Sequence, residues 1–475
     1  MRSRASRDLP GSGSGRAGLL GIDTVWITVA VALPAIASFA GRIGLIDLAY
    51  HLRAGEAMLQ RAGVVQTDTF SFVSAGQPWL DQQWGAQVIL AGVFRIAGFE
   101  GLQFLRSATM AATLALMFLT CRERGTDTRT AALLTLAGGA LLLPALAIRP
   151  QMFGLVMLAT AMWLIASRTA HPARLALFPF ISIAWANTHG SFVLLPVVIG
   201  LAIIDDLFAR RSIIPLIVVG LAATAATLLN PYGPEVWRYA LDILGDPLIR
   251  EMVTEWAPPD VGSLLGGVFY GSLLLAAAYL ARRSEPAPWP VLLWLLAFLL
   301  PALAAIRAIA WWGVVLPATL AGLVRARIEP DARRGSPTVH GAFLVALALA
   351  AVILSPWNQR PQLLHFPFRI SQAVAAATPP GTRLFVPQTW GSWFEFALPD
   401  RPVFVDSRIE LYPASAWRDY TAVVAGRADW AGILDRWEVD VLVTQPGWGV
   451  VPFVERDQAW SLVFRTENGL VFVRR

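Results

Sequence analysis

Residues 24–56 read TVWITVAVALPAIASFAGRIGLIDLAYHLRAGE, and the two halves of that stretch obey different rules. Residues 24–41 carry no charged side chain. They approach the roughly 20 apolar residues that a helix needs to cross a bilayer. Charge returns at Arg42, and Asp47, His51 and Gly55 then recur every fourth residue. In a helix this spacing puts the three on one face and turns Arg53 elsewhere. The expected local structure is a membrane span followed by a surface helix. Upstream, Met1 to Gly18 holds Arg2, Arg4, Arg7 and Arg16 among Ser and Gly. The apolar run after it is long and lacks a clear small-residue cleavage site, so it reads as a retained first span rather than a signal peptide.

Composition carries the same reading to the whole chain. Of its 475 residues, 56% are hydrophobic and 15% charged, against roughly 45–50% and 25% in ordinary soluble domains. That much apolar surface does not fit inside one water-solvated core, which excludes a soluble enzyme. All 38 basic residues are arginine, set against 32 acids for a net charge of +6. They are scattered rather than clustered on one face, which excludes a nucleic-acid partner. A single cysteine, Cys121, lies inside an apolar run and excludes a disulfide framework or a thiolate metal cluster. The expected fold class is an α-helical polytopic membrane protein of about 11–13 spans, with a small C-terminal α/β domain.

Expected spans are 24–41, 102–121, 130–148, 151–167, 174–187, 190–208, 213–229, 263–281, 288–305, 308–324 and 340–356. A shorter apolar piece, 84–98, carries Arg95 and is read as not crossing. Short cytoplasmic loops accumulate positive charge. The tail arginines, Arg122, Arg124 and Arg129, Arg168 and Arg174, Arg210 and Arg211, Arg282 and Arg283, and Arg325, Arg327, Arg333 and Arg334 then all fall on one side. The opposite loop, 230–262, holds Arg238 and Arg250 against Glu235, Asp242, Asp246, Glu251, Glu255 and Asp260. This places the N-terminus, a basic tail at 1–23, on the cytoplasmic side. The expected organisation is a membrane domain at 24–356, with a first outer loop at 42–100, and an extracytoplasmic α/β domain at 366–475. In that domain Arg383–Pro387, Pro402–Asp406, Asp440–Gln445, Ser461–Arg465 and Gly469–Arg474 read as strands. Ile370–Ala377 and Trp430–Trp437 read as helices between them.

Candidate chemistry concentrates at the outer ends. Asp47 is placed to take a proton from an acceptor hydroxyl or to bind a metal ion bridging a phosphate. As a plain structural residue it would instead cap a surface helix, with His51 a solvated neighbour. Asp68 lies in a turn-like TDT, and Asp81 sits just before Trp84. Arg149, followed by Pro150 and Gln151, and Arg307 stand among apolar residues. They either clamp a phosphate with the guanidinium fork or snorkel to headgroups. Asn187 and His189 either hydrogen-bond a sugar or phosphate or simply finish a span. Asn230, Tyr232 and Gly233 read as a turn built on Pro231. In the outer domain, Trp390 and Trp393 with Asp406, Arg408, Glu410 and Tyr412 suit a sugar, or else domain packing around a surface Asp–Arg pair. His171, His340 and His365 offer no zinc-ligand spacing.

DLAYHLRAGE (47–56), DTFSFVSAGQPWLDQQW (68–84), RPQMF (149–153), WANTHGSF (185–192), NPYG (230–233) and WGSWFEFALPDRPVFVDSRIELYP (390–413) carry a family resemblance. Together with the acidic first outer loop, they resemble the GT-C superfamily. These are polytopic membrane glycosyltransferases that include the dolichyl-phosphate-mannose protein mannosyltransferases and the lipid A aminoarabinose transferases. The resemblance implies sugar transfer from a polyprenyl-phosphate lipid to a glycan, lipid or protein acceptor. It puts Asp47 at the catalytic-base position. His51, Asp81, Arg149, Gln151, Asn187, His189, Arg307, Asp406 and Arg408 are then the candidate substrate-binding residues. The chain departs from the group at Leu45, where a second Asp is common, and at Gln82 and Gln83, where His-Glu is common. No cofactor is implied, and a divalent metal is left open. A second reading is a non-catalytic membrane protein that binds or guides an envelope glycan or lipid. A transporter is the third, without the inverted repeats or broken-helix pairs that class shows.

Overall fold

The computed structural model describes residues 21–44, 46–142, 147–324, 336–359, 361–364 and 366–475. The tail arginines, Leu45, Arg325, Arg327, Arg333, Arg334 and His365 lie outside the described residues. Four helical segments are long and apolar enough to cross a membrane: Ile22–Ala40, Trp84–Glu123, Gly190–Phe208 and Leu264–Ala281. Seven shorter apolar helices accompany them: Thr128–Leu142, Gln151–Ser167, Pro172–Ala186, Ile214–Ala226, Trp289–Ala304, Ile306–Ala321 and Pro337–Ile353. Each corresponds to one expected span. Their shared core includes Leu155, Leu158, Trp185, Phe192, Phe269, Trp312 and Val315.

The first helix, Ile22–Ala37 (α1), runs on into a 3-10 turn at Ser38–Ala40. A helix end leaves its last carbonyls without partners. Here Arg106 supplies them, donating to Ser38 O, to Gly41 O at 2.8 Å and to Arg42 O at 3.1 Å. Gln103 adds a bond to Gly41 O at 3.0 Å. A cation at a helix C-terminus also complements the dipole.

The surface helix forms at Leu48–Arg61 (α2). Its Leu48 and Leu52 pack with Ala86 and Leu90, and its Ala54, Ala57 and Met58 with Val65, Phe70 and Trp79. The residues under Leu48 belong to the helix Trp84–Glu123 (α3), which bends where Ala97 and Gly98 leave helical geometry. Gly98 has φ 58° and ψ −151°, a region nearly closed to residues with a side chain. Before the bend, Gly85 N donates to Asn187 O at 2.9 Å. After it, Gln103 and Arg106 meet the end of α1. Both ends of 84–98 therefore lie near the first loop, and the piece is an arm laid beside α2. The contact is close: a Cβ on Gly55 would run into the carbonyl of Gln87.

At the other end of the bundle the arginine clusters gather. Arg168 pairs with Asp206 at 2.8 Å, Arg211 with Asp206 at 2.6 Å, and Arg174 with Glu123 at 2.9 Å.

Residues after the last span return to the loop. Leu363–Leu364 (β2) pairs in parallel with Ile43–Gly44 (β1). Beyond it, Leu384–Phe385 (β3), Val441–Thr444 (β4), Trp460–Arg465 (β5) and Leu470–Arg474 (β6) form one sheet in the order β3-β4-β6-β5. Only the β3–β4 pair is parallel. The helices Phe368–Ala377 and Trp430–Arg436 stand close to their expected places. Three more helices, Gln388–Ala397, Ala414–Val424 and Val451–Val454, stand where the sequence reading expects none. The expected strand Pro402–Asp406 reduces to isolated bridges, from Val403 to Leu384 on one side and to Ser71 on the other. Val403 is thus wedged between the domain's sheet and the first outer loop. The chain then turns away at Asp406, which Arg408 holds.

Candidate active site

Asp47 stands at the N-cap of α2, yet its side chain makes no capping bond. Its Oδ2 instead meets Arg149 Nε at 3.0 Å. Arg149 comes from the segment just before the helix Gln151–Ser167, and its Nη1 pairs with Glu255. One guanidinium thus holds carboxylates from two separate loops. Arg149 Nη2 has no hydrogen bond to the described residues. Arg149 is therefore a neutralised, doubly paired cation, unlike a headgroup-seeking side chain.

Asp47 and Arg149 open onto a cavity of about 1080 Å³. Gly44, Ile46, Leu48, Ala147 and Ile148 share their wall. The opposing wall belongs to the outer domain and its linker: Leu363, Phe366, Phe368, Arg369, Trp390, Gln445, Arg465, Glu467 and Asn468. Arg465 pairs with Glu455, whereas Arg369 has no ion pair among the described residues. Of that second wall, sequence reasoning singled out Trp390 alone. It missed Glu255, whose one signal was the acidic character of loop 230–262.

The other candidates stand away from this cavity's lining. His51 is buried, with Nδ1 3.3 Å from Gln87 Nε2, which also donates to Asp81 Oδ1 at 2.8 Å. Burial, assisted by the Arg149 charge, pulls the His51 imidazole well below its ordinary range, so it stays neutral. Gln151 Nε2 reaches Arg307 O at 3.3 Å. The Arg307 guanidinium lies 4.7 Å from the Trp256 ring centroid, beside Glu255 in sequence. Asn187 accepts from Trp84 Nε1 at 2.7 Å and donates to Leu229 O at 3.0 Å. His189 Nδ1 is taken by Ser191, at 2.7 Å from Oγ and 3.1 Å from N. Both finish span ends.

Asp406 and Arg408 are fully buried at the seam between the first outer loop and the outer domain. Arg408 meets Asp68 at 3.1 Å, Glu395 at 3.3 Å and Asp406, with Trp79 and Phe70 rings 4.5 and 5.1 Å from its guanidinium carbon. Burial pushes the Glu395 carboxyl well up, and the Asp406 charge adds to it. Burial also pushes Asp406 up, but Arg408 and its hydrogen bonds outweigh that and hold it below the ordinary carboxylate range. The expected surface Asp–Arg pair is in fact an ion cluster inside the protein.

Asp81 supports a pH prediction. Burial drives its carboxyl up to about 8, against the Arg408 charge and the Gln87 bond. Its Oδ2 has no hydrogen-bond partner among the described residues. Between about pH 4, the range of a free carboxyl, and pH 8 the folded protein keeps a proton that the unfolded chain releases. Stability therefore falls as pH rises through that window. Asp81→Asn should flatten this part of the melting-temperature profile between pH 5 and 9; parallel profiles for the two proteins would refute the assignment.

Arg149 already sits between the two carboxylates, and among the described residues no group of three or more His, Cys, Asp or Glu is placed to hold an ion.

A bundle of apolar helices, a first loop with a bent arm, and a small α/β domain over a cavity beside that loop make up a fold that solved structures share. Among solved structures, the chain resembles the archaeal oligosaccharyltransferase AglB from Archaeoglobus fulgidus, in complex with an inhibitory peptide and a dolichol-phosphate. That match has a TM-score of 0.54 and 13% identity over 90% of this chain and 69% of that one. It also resembles ArnT from Cupriavidus metallidurans bound to undecaprenyl phosphate, with a TM-score of 0.50 and 13% identity over 94% and 97% of the two chains. For ArnT in the apo state the TM-score is 0.52, at 12% identity over 97% and 98%. No protein-family model and no curated protein matches the chain.

Proposed function

We propose that the protein is a membrane glycosyltransferase that moves a sugar from a polyprenyl-phosphate donor to an acceptor on the outer face of a bacterial inner membrane. The observation that carries this reading is a carboxylate–guanidinium pair, Asp47 and Arg149, on the wall of a large cavity closed by the outer domain. The neighbours in complex with dolichol-phosphate and undecaprenyl phosphate support a lipid-phosphate donor. The gathering of arginines at the opposite end supports an N-terminus inside and the outer domain outside.

In this reading Asp47 accepts the proton of an acceptor hydroxyl as that oxygen attacks the sugar's anomeric carbon. The bond from that carbon to the phosphate oxygen breaks, and its electron pair leaves on the phosphate. Protonation cancels the Asp47 charge, which frees Arg149 electrostatically as the departing phosphate gains negative charge. The unengaged Nη2 supplies the donor. Trp390, Gln445 and Asn468 suit a sugar-bearing acceptor, and Arg369 suits an anionic group on it.

The test is to locate a bound polyprenyl phosphate in the reconstituted protein. Its phosphate is expected in the cavity, within hydrogen-bond reach of Arg149. Arg149→Lys keeps the charge but cannot bridge both carboxylates and still face a phosphate, so affinity should fall about tenfold. A phosphate seated elsewhere, or unchanged affinity, would overturn the assignment.

A further inference from the structure

A second pocket, of about 210 Å³, lies at the arginine-rich end of the bundle. It is enclosed by the ends of α3, Leu194–Phe208, Trp289–Ala304 and Ile309–Ala321. Arg124, Arg211 and Asp205 supply its charged lining. The carboxylates nearby are engaged. Asp206 takes Arg168 at 2.8 Å and Arg211 at 2.6 Å, and Asp205 accepts from Trp294 Nε1 at 3.0 Å. Arg124 has no ion pair among the described residues, and its Nε is buried without a hydrogen-bond partner. Among the described residues three guanidinium groups thus face two carboxylates, and one positive charge is left over beside the pocket. The pocket's flank is apolar and exposed: Phe208 and Trp289 meet edge-on at 6.1 Å, 52% and 55% exposed.

We propose that this pocket binds the phosphate of an anionic phospholipid from the leaflet on the arginine-rich side. The fork of Arg124, seconded by Arg211, matches phosphate oxygens. Basic pockets between spans hold anionic headgroups in this way. Phe208 and Trp289 provide the apolar path for the acyl chains, in the position where aromatic side chains meet a membrane interface. A freely diffusing phosphate would use the same guanidinium but gain nothing from that flank, which is why a lipid is the occupant.

Native mass spectrometry of the full chain in detergent, loaded with phosphatidylglycerol, phosphatidylcholine or inorganic phosphate, tests the proposal. The wild type should retain phosphatidylglycerol in preference to phosphatidylcholine, and inorganic phosphate should not displace it. Arg124→Gln should weaken retention about tenfold, the loss of one charge-assisted hydrogen bond. Val291→Trp, which fills the pocket and leaves every charge in place, should do the same and decides the matter if Arg124→Gln does not fold. Arg238→Gln, on the opposite loop, should bind as the wild type does. Equal retention of the two lipids overturns the proposal, as does wild-type retention in Val291→Trp. Displacement by inorganic phosphate would show a soluble-anion site and overturns it equally.

Discussion

Arg408→Met is expected to destabilise the protein by about 3–5 kcal/mol, the usual cost of removing one partner from a buried ion cluster. The substitution leaves Asp68, Glu395 and Asp406 buried together without their cation. Methionine replaces the apolar stem against Phe70 and Trp79, so the loss reports charge rather than volume. The damage should also be local. Asp68, Phe70 and Trp79 belong to the first outer loop, whereas Glu395 and Asp406 belong to the outer domain, so Arg408 fastens the two together. Thermal unfolding should show an early transition, and limited proteolysis should open the chain between residues 62 and 83 first. Arg238→Gln, at a side chain 76% exposed, should change neither. An unshifted melting temperature in Arg408→Met would mean that the seam is held by packing alone.

Asp47→Asn is expected to reduce sugar transfer by about 10²–10⁴-fold, the range a positioned general base contributes, while leaving the melting temperature nearly unchanged. The side chain is 25% exposed and makes no capping bond, so the fold asks little of its charge. The amide oxygen can still accept from Arg149, which keeps the guanidinium in place. The turnover number should therefore fall far more than donor affinity. Equal losses in both would point to a positioning role for Asp47.

Much of the bundle could be read from apolar run lengths alone, because a span buries its backbone hydrogen bonds within itself and needs only a sufficient stretch of apolar residues. Asp47 was identifiable from its spacing with His51 and its place in the first loop, and Arg149 as a charge that topology did not explain. Their pairing was not, since helical spacing says nothing about contacts a hundred residues apart. Arg106 went unnoticed inside an expected span, although a lone arginine there already demanded a partner. Asp406 and Arg408 read either as a sugar site or as a surface pair beside ordinary packing, because an Asp-x-Arg pair looks alike in water and in a core. The flanking Phe404, Val405 and Ile409, all buried, were the overlooked signal. Asn187 and His189 proved to be engaged locally, by Trp84 and Ser191, which are bonds that residue type alone does not reveal.

The most direct test is sugar transfer by the purified protein in proteoliposomes, from a labelled polyprenyl-phosphate sugar to extracted envelope acceptors. Transfer by the wild type, lost in a folded Asp47→Asn protein that still binds the lipid phosphate, is the result expected. Binding of the lipid carrier with no transfer by the wild type, across a panel of polyprenyl-phosphate sugars, would contradict it and leave a lipid- or glycan-guiding protein.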